Sequence, residues 1–250
     1  MPEIARIIRA MDYLDLTLPT PEENLACDEV LLDLVDAGQG RGILRVWESP
    51  DYFVVLGYSR PRHRDVHLAA CRAAGIPVLR RYTGGGTVLQ GPGCLNFTLA
   101  VPIRPGGPFA TIAGTNRFVA ARHQRALAAR LHRPVQHEGS TDLALDGRKF
   151  SGNAQRRRRR AVLFHGTLLY AFDLALICRY LPVPAHQPAY RRDRAHEAFL
   201  MNLPLSAETL KDALRKAWQA RTSLPDLPSA RIQALAQTRY ALAEWNGRFP

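Results

Sequence analysis

Gly84, Gly85 and Gly86 stand side by side between two strand-like segments, and that setting constrains the fold more than any other feature of the chain. A strand-like segment at 77–81 leads towards the triplet, and the next regular segment, 95–101, again has the composition of a strand. A dinucleotide-binding turn or a phosphate-binding P-loop needs a helix directly after its glycines, so that phosphates sit on the helix N-terminus. The order of strand, loop and strand excludes both. With Arg80, Arg81 and Thr83 beside it, the triplet permits a loop whose backbone approaches a ligand closely, offers N–H groups and keeps cations near an anion. A flexible hairpin turn is the equally open alternative.

The rest of the pattern is mixed. Thr20-Pro21-Glu22-Glu23 has the hydroxyl cap, early proline and acidic first turn of a helix start, and Leu25, Val30, Leu31, Leu34 and Val35 follow at near-helical spacing up to Gly38. Strands are expected at 43–47, 52–56 and 161–170, a helix at 65–74 stopped by Gly75, and a long helix at 111–131. Residues 141–145 and 148–150 read as a hairpin, because Asp146-Gly147 readily takes the positive φ angles of a two-residue turn. Helical or loop-like stretches at 174–180, 207–220 and 229–243 close the chain, with prolines punctuating 181–188 and 224–228. Without an internal repeat or a compositional break, this order implies one α+β domain over 1–250, with mixed β-sheets flanked by helices.

Composition narrows the classes further. With 46% apolar residues, a chain of 250 buries a sizeable core. No run approaches the roughly 18 uninterrupted apolar residues of a membrane helix, and Met1-Pro2-Glu3-Ile4 lacks the regions of a signal peptide, so no membrane partner and a cytoplasmic location are expected. The four cysteines, Cys27, Cys71, Cys94 and Cys178, include no Cys-x-x-Cys pair, so neither a disulfide framework nor a thiolate metal site is suggested. A formal charge of +12, mostly arginine, calls for an acidic partner. Sequence-specific nucleic-acid binding is not expected, because no zinc finger, basic zipper or RNA-binding motif is present.

A second constellation surrounds Lys149. Asp142 precedes it, Gly152, Asn153 and Ala154 follow, and His165-Gly166-Thr167 comes later. A lysine just past a tight turn is often a plain exposed charge. The small Gly152 and Ala154 would leave room beside it for a bulky ligand, and Asp142 could accept a polar group of that ligand.

Together these residues carry a resemblance. Arg80-Arg81-x-Thr83-Gly84-Gly85-Gly86-x-Val88, Lys149-x-x-Gly152-x-Ala154 and His165-Gly166-Thr167-Leu168-Leu169 resemble, in order and spacing, the three motifs of the lipoate-protein ligase A and octanoyltransferase family. The opening 23–29, the strand ending at Gly57, Asn202-Leu203 and Glu244-Trp245-Asn246 are also similar to that family, so the likeness covers nearly the whole chain. The resemblance implies the biotin/lipoate-ligase catalytic fold, which is like that of class II synthetases. The Lys-Trp-Pro-Asn-Asp motif of biotin ligases is missing, and lipoate or octanoate is the implied substrate. In the ligase chemistry ATP and Mg2+ are co-substrates, and the acyl group passes through an adenylate to a lysine of an acidic lipoyl domain or a glycine-cleavage H protein. The resemblance makes Lys149 the central catalytic residue. Arg81, Thr83 and the backbone of Gly84, Gly85 and Gly86 would hold carboxylate and phosphates. Asp142 would assist nucleotide or metal binding, no metal ligand being assigned, while Gly152 and Ala154 would line the acyl tunnel and His165 is a second-tier candidate. Gln90 stands where the family often has histidine.

Family octanoyltransferases use a cysteine nucleophile instead of ATP. The loop at 132–139 holds no cysteine and no Asn-Pro-Cys-Gly segment occurs; Cys178 reads as core, and Cys94 is the only thiol near the glycine loop. Adenylation is therefore the favoured expectation, the ATP-independent transferase the alternative, and a non-catalytic binding homologue the third class. Many lipoate ligases continue into a small accessory domain, which is not expected here, so a separate accessory subunit is a candidate partner. The five arginines at 156–160 read either as a solvated hairpin tip or as a docking surface for an acidic acceptor.

Overall fold

Alternation along the strands and helical spacing between them sort the chain into layers. The computed structural model describes residues 11–39, 41–223 and 226–249. The expectation drawn from Met1-Pro2-Glu3-Ile4, and positions 224–225 of the proline-marked stretch, lie outside the described residues.

Strand β1 (Asp12–Asp15) leads to helix α1 (Pro21–Asp36), strands β2 (Ile43–Trp47) and β3 (Phe53–Leu56), and the short helices α2 (Arg62–Asp65) and α3 (Leu68–Ala73). Strands β4 (Val78–Arg80), β5 (Val88–Gln90) and β6 (Cys94–Pro102) precede the long helix α4 (Ile112–Leu131). There follow β7 (Gln136–Glu138), β8 (Asp142–Leu145), β9 (Arg148–Ser151), β10 (Asn153–Arg157) and β11 (Ala161–Leu169). Helices α5 (Leu174–Tyr180), α6 (His196–Phe199) and α7 (Ala207–Ala217), strand β12 (Thr222–Ser223), and helices α8 (Ser229–Leu235) and α9 (Ala243–Gly247) complete it. The expected α+β class with mixed, helix-flanked sheets is what forms. None of the helices among the described residues is long and apolar enough to cross a membrane.

A six-stranded sheet in the order β10-β11-β6-β2-β1-β12 carries the molecule, with three-stranded sheets β4-β3-β5 and β7-β8-β9 beside it. Both faces of the large sheet are covered. On β6, Leu95, Phe97, Leu99 and Val101 face a core shared with Val119 and Leu127 of α4 and with Leu210, Leu214 and Trp218 at α7. The opposite face meets Leu25, Val30 and Leu31 of α1. A third cluster joins Val54 and Leu56 of β3 to Ile177, Tyr180 and Phe199.

Helix α1 starts as expected. Thr20 Oγ1 accepts the Glu23 amide at 3.2 Å and the Glu23 carboxylate accepts the Thr20 amide at 3.3 Å, a reciprocal capping box. Thr20→Ala should cost about 1 kcal/mol of unfolding free energy in a urea melt, since one first-turn amide loses its acceptor.

Three departures from expectation have physical reasons. The helix expected at 65–74 breaks into α2 and α3 because Val66 adopts extended backbone, φ −139° and ψ 134°, and buries its branched side chain in the third cluster. Strands β5 and β7 have only three residues each, too short to show alternation. Strand β10 contains the start of the arginine run, so it lacks an apolar face and forms only by pairing with β11 at the sheet edge. Asp146 and Gly147, at φ 52° and 69°, make the expected tight turn.

Candidate active site

Strand register builds the polar floor of the site. Arg45 on β2, Thr98 on β6, His165 on β11 and Ala154 on β10 are successive cross-strand partners, forming one row across the large sheet. Trp47, Asn96 and Thr167 make a neighbouring row. Helix α1 lies over these rows and inserts Asp28, whose Oδ1 accepts from Arg45 Nη1 at 2.9 Å and Thr98 Oγ1 at 2.8 Å. Its Oδ2 lies 3.0 Å from His165 Nδ1, and His165 Nε2 lies 2.7 Å from Thr83 Oγ1. A carboxylate only accepts, so His165 donates to it from Nδ1, and the tautomer with its proton there leaves Nε2 to accept the Thr83 hydroxyl. Burial by itself would raise the Asp28 carboxyl, but hydrogen bonding from His165, the Arg45 charge and Thr98 outweigh it and hold the group below its ordinary range. Arg45, Asp28, His165 and Thr83 thus form a hydrogen-bonded chain, buried except at His165, that ends on the glycine loop.

That loop is fixed from two further sides. Arg81 curls beneath it, Nε and Nη2 donating to Gly84 O at 3.1 and 2.7 Å and Nη2 to Gly86 O at 2.8 Å. Desolvation pushes the Arg81 guanidinium down to about 10. Gly57, at the end of β3, touches it from below: a Cβ there would lie 2.1 Å from Gly85 O. Gly85 itself has φ +86°, and a Cβ on it would meet Ala154 Cβ at 3.4 Å. With the Gly84 and Gly86 carbonyls taken by Arg81, the loop exposes Gly85 and Gly86 at the rim.

Deeper support comes from Arg80. Its side chain is wholly buried, and its guanidinium donates to the carbonyls of Gly57, Tyr58 and Arg60 at 3.0, 3.1 and 2.8 Å and to those of Asn246 and Phe249 at 3.1 and 3.4 Å. The Trp245 indole donates to Arg80 O at 2.8 Å. One arginine thereby ties the glycine-loop strand to the Gly57 turn and to α9.

Across from the loop, the expected hairpin presents Lys149 on β9. Its Nζ lies 2.8 Å from Asp142 Oδ1 on β8, and the Tyr190 hydroxyl donates to Asp142 Oδ2 at 2.8 Å. Desolvation and then the Asp142 charge hold the Tyr190 hydroxyl far above its usual range, so it stays a donor. Gly152 leaves the space Lys149 occupies, since a Cβ there would lie 3.0 Å from Nζ and 3.1 Å from Cε.

These groups share an open cavity of about 410 Å³. Of the residues expected from sequence, Arg81, Gly85, Gly86, Asp142, Lys149, Gly152, Ala154 and His165 line it; Thr83 stands behind His165, and Gly84 spends its carbonyl on Arg81. Apolar side chains, among them Phe97, Phe150, Leu169, Ile177 and Phe199, line other parts of the wall. Sequence reasoning missed Asp28, Arg45, Thr98 and Tyr190, and the cavity-lining Arg60 and Arg64. The available signal was polar residues at otherwise core-facing positions of α1, β2 and β6.

None of the four cysteines lines the cavity. Cys94 is fully buried on β6, and burial first, with the Glu48 charge second, drives its thiol far above the usual range.

The profile of the lipoyl protein ligase A/B catalytic domain matches residues 20–219. The chain belongs to this family. A protein of Aeropyrum pernix provisionally named lipoate-protein ligase A is 32% identical over 213 residues, 85% of this chain and 76% of its own length. Octanoyltransferase LipM of Symbiobacterium thermophilum is 29% identical over 266 residues, 92% of this chain and 95% of its own length. Family relatives thus divide between ligase and octanoyltransferase names, and both are enzymes. Among solved structures, a bipartite lipoate protein ligase from Thermoplasma acidophilum, solved in a study with its E2 lipoyl domain, superposes with a TM-score of 0.81 at 23% identity, over 96% of this chain and 97% of that one. A lipoate-protein ligase A bound with ATP gives 0.79 at 24% identity, over 96% and 100%. At those identities the likeness is one of fold.

Proposed function

We propose that this family member is a lipoate-protein ligase, activating lipoate or octanoate with ATP and transferring the acyl group to a lysine of a lipoyl-domain acceptor or an H protein. The observation that carries the reading is the Lys149 ammonium on the cavity wall, held by Asp142, with the glycine loop fixed opposite it. An ammonium in that position binds the acid's carboxylate, and then stabilises charge on the acyl-phosphate link as the bond to phosphate forms and pyrophosphate leaves. Gly85 and Gly86 offer backbone to the phosphates at the rim, and the apolar wall takes the acyl chain. Arg81 acts through the loop, since its Nε and Nη2 already hold carbonyls.

ATP would bring magnesium on its phosphates. Among the described residues no group of three or more His, Cys, Asp or Glu stands ready to hold the ion alone. Asp28, Asp65 and Asp142 face the cavity and each is already engaged, by Arg45 and His165, by Arg60 and Thr87, and by Lys149 and Tyr190. That donor set fits magnesium carried mainly by phosphate and water, its usual manner in nucleotide sites.

The second reading, an ATP-independent octanoyltransferase, is favoured by the end-to-end match with the LipM relative. It needs a thiolate to carry the acyl group, and the four thiols stand off the cavity. Cys94→Ala should therefore leave acyl transfer to an apo lipoyl domain unchanged, followed by mass spectrometry. Loss of transfer in a variant that melts like the wild type would move the assignment to the thioester route.

A further inference from the structure

The arginine run at 156–160 does not act as one tip. Strand β10 alternates, and Arg157 turns inward, donating to Phe109 O at 2.6 Å and Ala110 O at 3.0 Å. Arg158 pairs with Asp33 at 3.0 Å, and Arg160 bonds to Asp36 on α1. Arg156 instead lies over Tyr82, 4.3 Å from the ring centroid, and 5.5 Å from that of Tyr58. From the far end of the chain, Arg248 reaches the other side of the same cluster, 5.0 Å from the centroids of both Tyr58 and Trp245. Arg158 also lies over Tyr82 at 5.1 Å, and Arg239 over Trp245 at 5.2 Å.

The carboxylates nearby are already committed. Glu29 is bonded to Arg239 at 2.5 Å and to the Tyr240 hydroxyl at 2.8 Å, and Asp33 to Arg158 and Arg231. Among the described residues, no carboxylate lies within ion-pairing distance of Arg156 or Arg248. Stacking on aromatic faces holds the two guanidiniums in place while their hydrogen-bonding edges stay open, the arrangement that suits bidentate capture of carboxylates. The cluster is continuous with the catalytic loop: Tyr82 directly precedes Thr83, Tyr58 N donates to Thr83 O at 2.8 Å, and Ala154 at the start of β10 abuts Gly85.

We infer that the Arg156/Arg248 face around Tyr58, Tyr82 and Trp245 is where an acidic acceptor domain docks, its carboxylates held by the two guanidiniums while its lysine reaches across the glycine loop toward Lys149. The inference rests on the ligase reading for the identity of the acceptor. A net charge of +12 adds long-range attraction of the same sign. The alternation along β10 makes Arg156, and not the whole run, the contributor from that hairpin, and it recruits a residue 92 positions later that the run does not contain.

The probe is an apo lipoyl domain whose acceptor lysine is replaced by alanine, with binding read by fluorescence anisotropy and no turnover required. Wild-type affinity should fall steeply between about 20 mM and about 200 mM salt, as the Debye length shrinks below the spacing of the charges. R156Q/R248Q should weaken low-salt binding about tenfold and flatten the salt dependence. R156K/R248K should keep the salt dependence but recover only part of the affinity, because an ammonium retains the charge and loses the stacked, bidentate fork, and R159Q, exposed at the hairpin tip beyond the cluster, should bind as wild type. Equal affinity for R156Q/R248Q, or an equal loss for R159Q, overturns the proposal. So does binding of a short DNA duplex through the same two arginines with no affinity for the lipoyl domain. Should the double glutamine variant fail to fold, neutralising the lipoyl domain's surface carboxylates reads the same contact on wild-type enzyme. ATP–pyrophosphate exchange on the wild-type chain needs no acceptor, so its absence would count against the ligase reading while leaving the docking result standing.

Discussion

Lys149→Met should lower the rate of acyl transfer by on the order of a thousandfold or more, with little change in melting temperature. Methionine keeps most of the aliphatic stem but removes the ammonium that Asp142 holds at 2.8 Å. The loss has two parts. The ammonium proposed to meet the substrate carboxylate and the charge on the acyl-phosphate link is gone, and Asp142 is left in the cavity wall with only the Tyr190 hydroxyl as partner, its charge now repelling the incoming acid. Lys149→Arg should not restore activity, because the lysine tip already fills the space that Gly152 vacates and a planar guanidinium is wider. The measurement is single-turnover adenylate formation alongside a thermal melt. A variant that keeps more than about a tenth of the wild-type rate would show that the charge lies elsewhere.

Gly57→Ala should reduce kcat/KM for lipoate by on the order of a hundredfold, although Gly57 does not line the cavity. The added methyl would sit 2.1 Å from Gly85 O and 3.0 Å from Gly85 C. These are backbone atoms and cannot rotate away, so the glycine loop must lift. Lifting strains the Arg81 bonds to Gly84 O and Gly86 O and the contact between Thr83 and His165. A displacement of about 1 Å at a site that works by positioning is enough for that loss. Gly247→Ala, where a Cβ would meet nothing within 4 Å, is the matched control. Kinetics of adenylate formation for the two variants, compared at equal melting temperature, tests the claim; a Gly57→Ala enzyme as fast as the control would mean that the loop moves freely.

How legible this site was in the sequence depended on whether each role is local. The Asp146-Gly147 turn, the Thr20 cap and the order of the long elements follow from short-range rules, and the hairpin delivers Lys149 to the cavity wall as the pattern requires. Asp28 stood out only as a polar residue at a core-facing position of α1, and its role was not legible, because the convergence of Thr98, Arg45 and His165 on it exists only in the register of β2, β6 and β11. Arg80 and Arg81 look alike in sequence. Burial gives the first to the carbonyls of the Gly57 turn and α9, and the second to those of the glycine triplet. The arginine run was legible only as a whole, since its composition left a solvated tip and a docking surface both open while strand alternation assigns its members to different partners. The family motifs marked which residues gather at the site, and only the fold distinguishes those that line the cavity from those that hold the loop in shape.

The most direct measurement is mass spectrometry of an apo lipoyl domain incubated with this chain, lipoate, ATP and magnesium, with parallel incubations lacking ATP and supplying octanoyl-carrier protein. Ligase chemistry at Lys149 gives lipoylation of the acceptor lysine only with ATP, preceded by pyrophosphate release and abolished by Lys149→Met. Acylation from octanoyl-carrier protein without ATP, surviving the loss of Lys149 and lost with a cysteine, would contradict it.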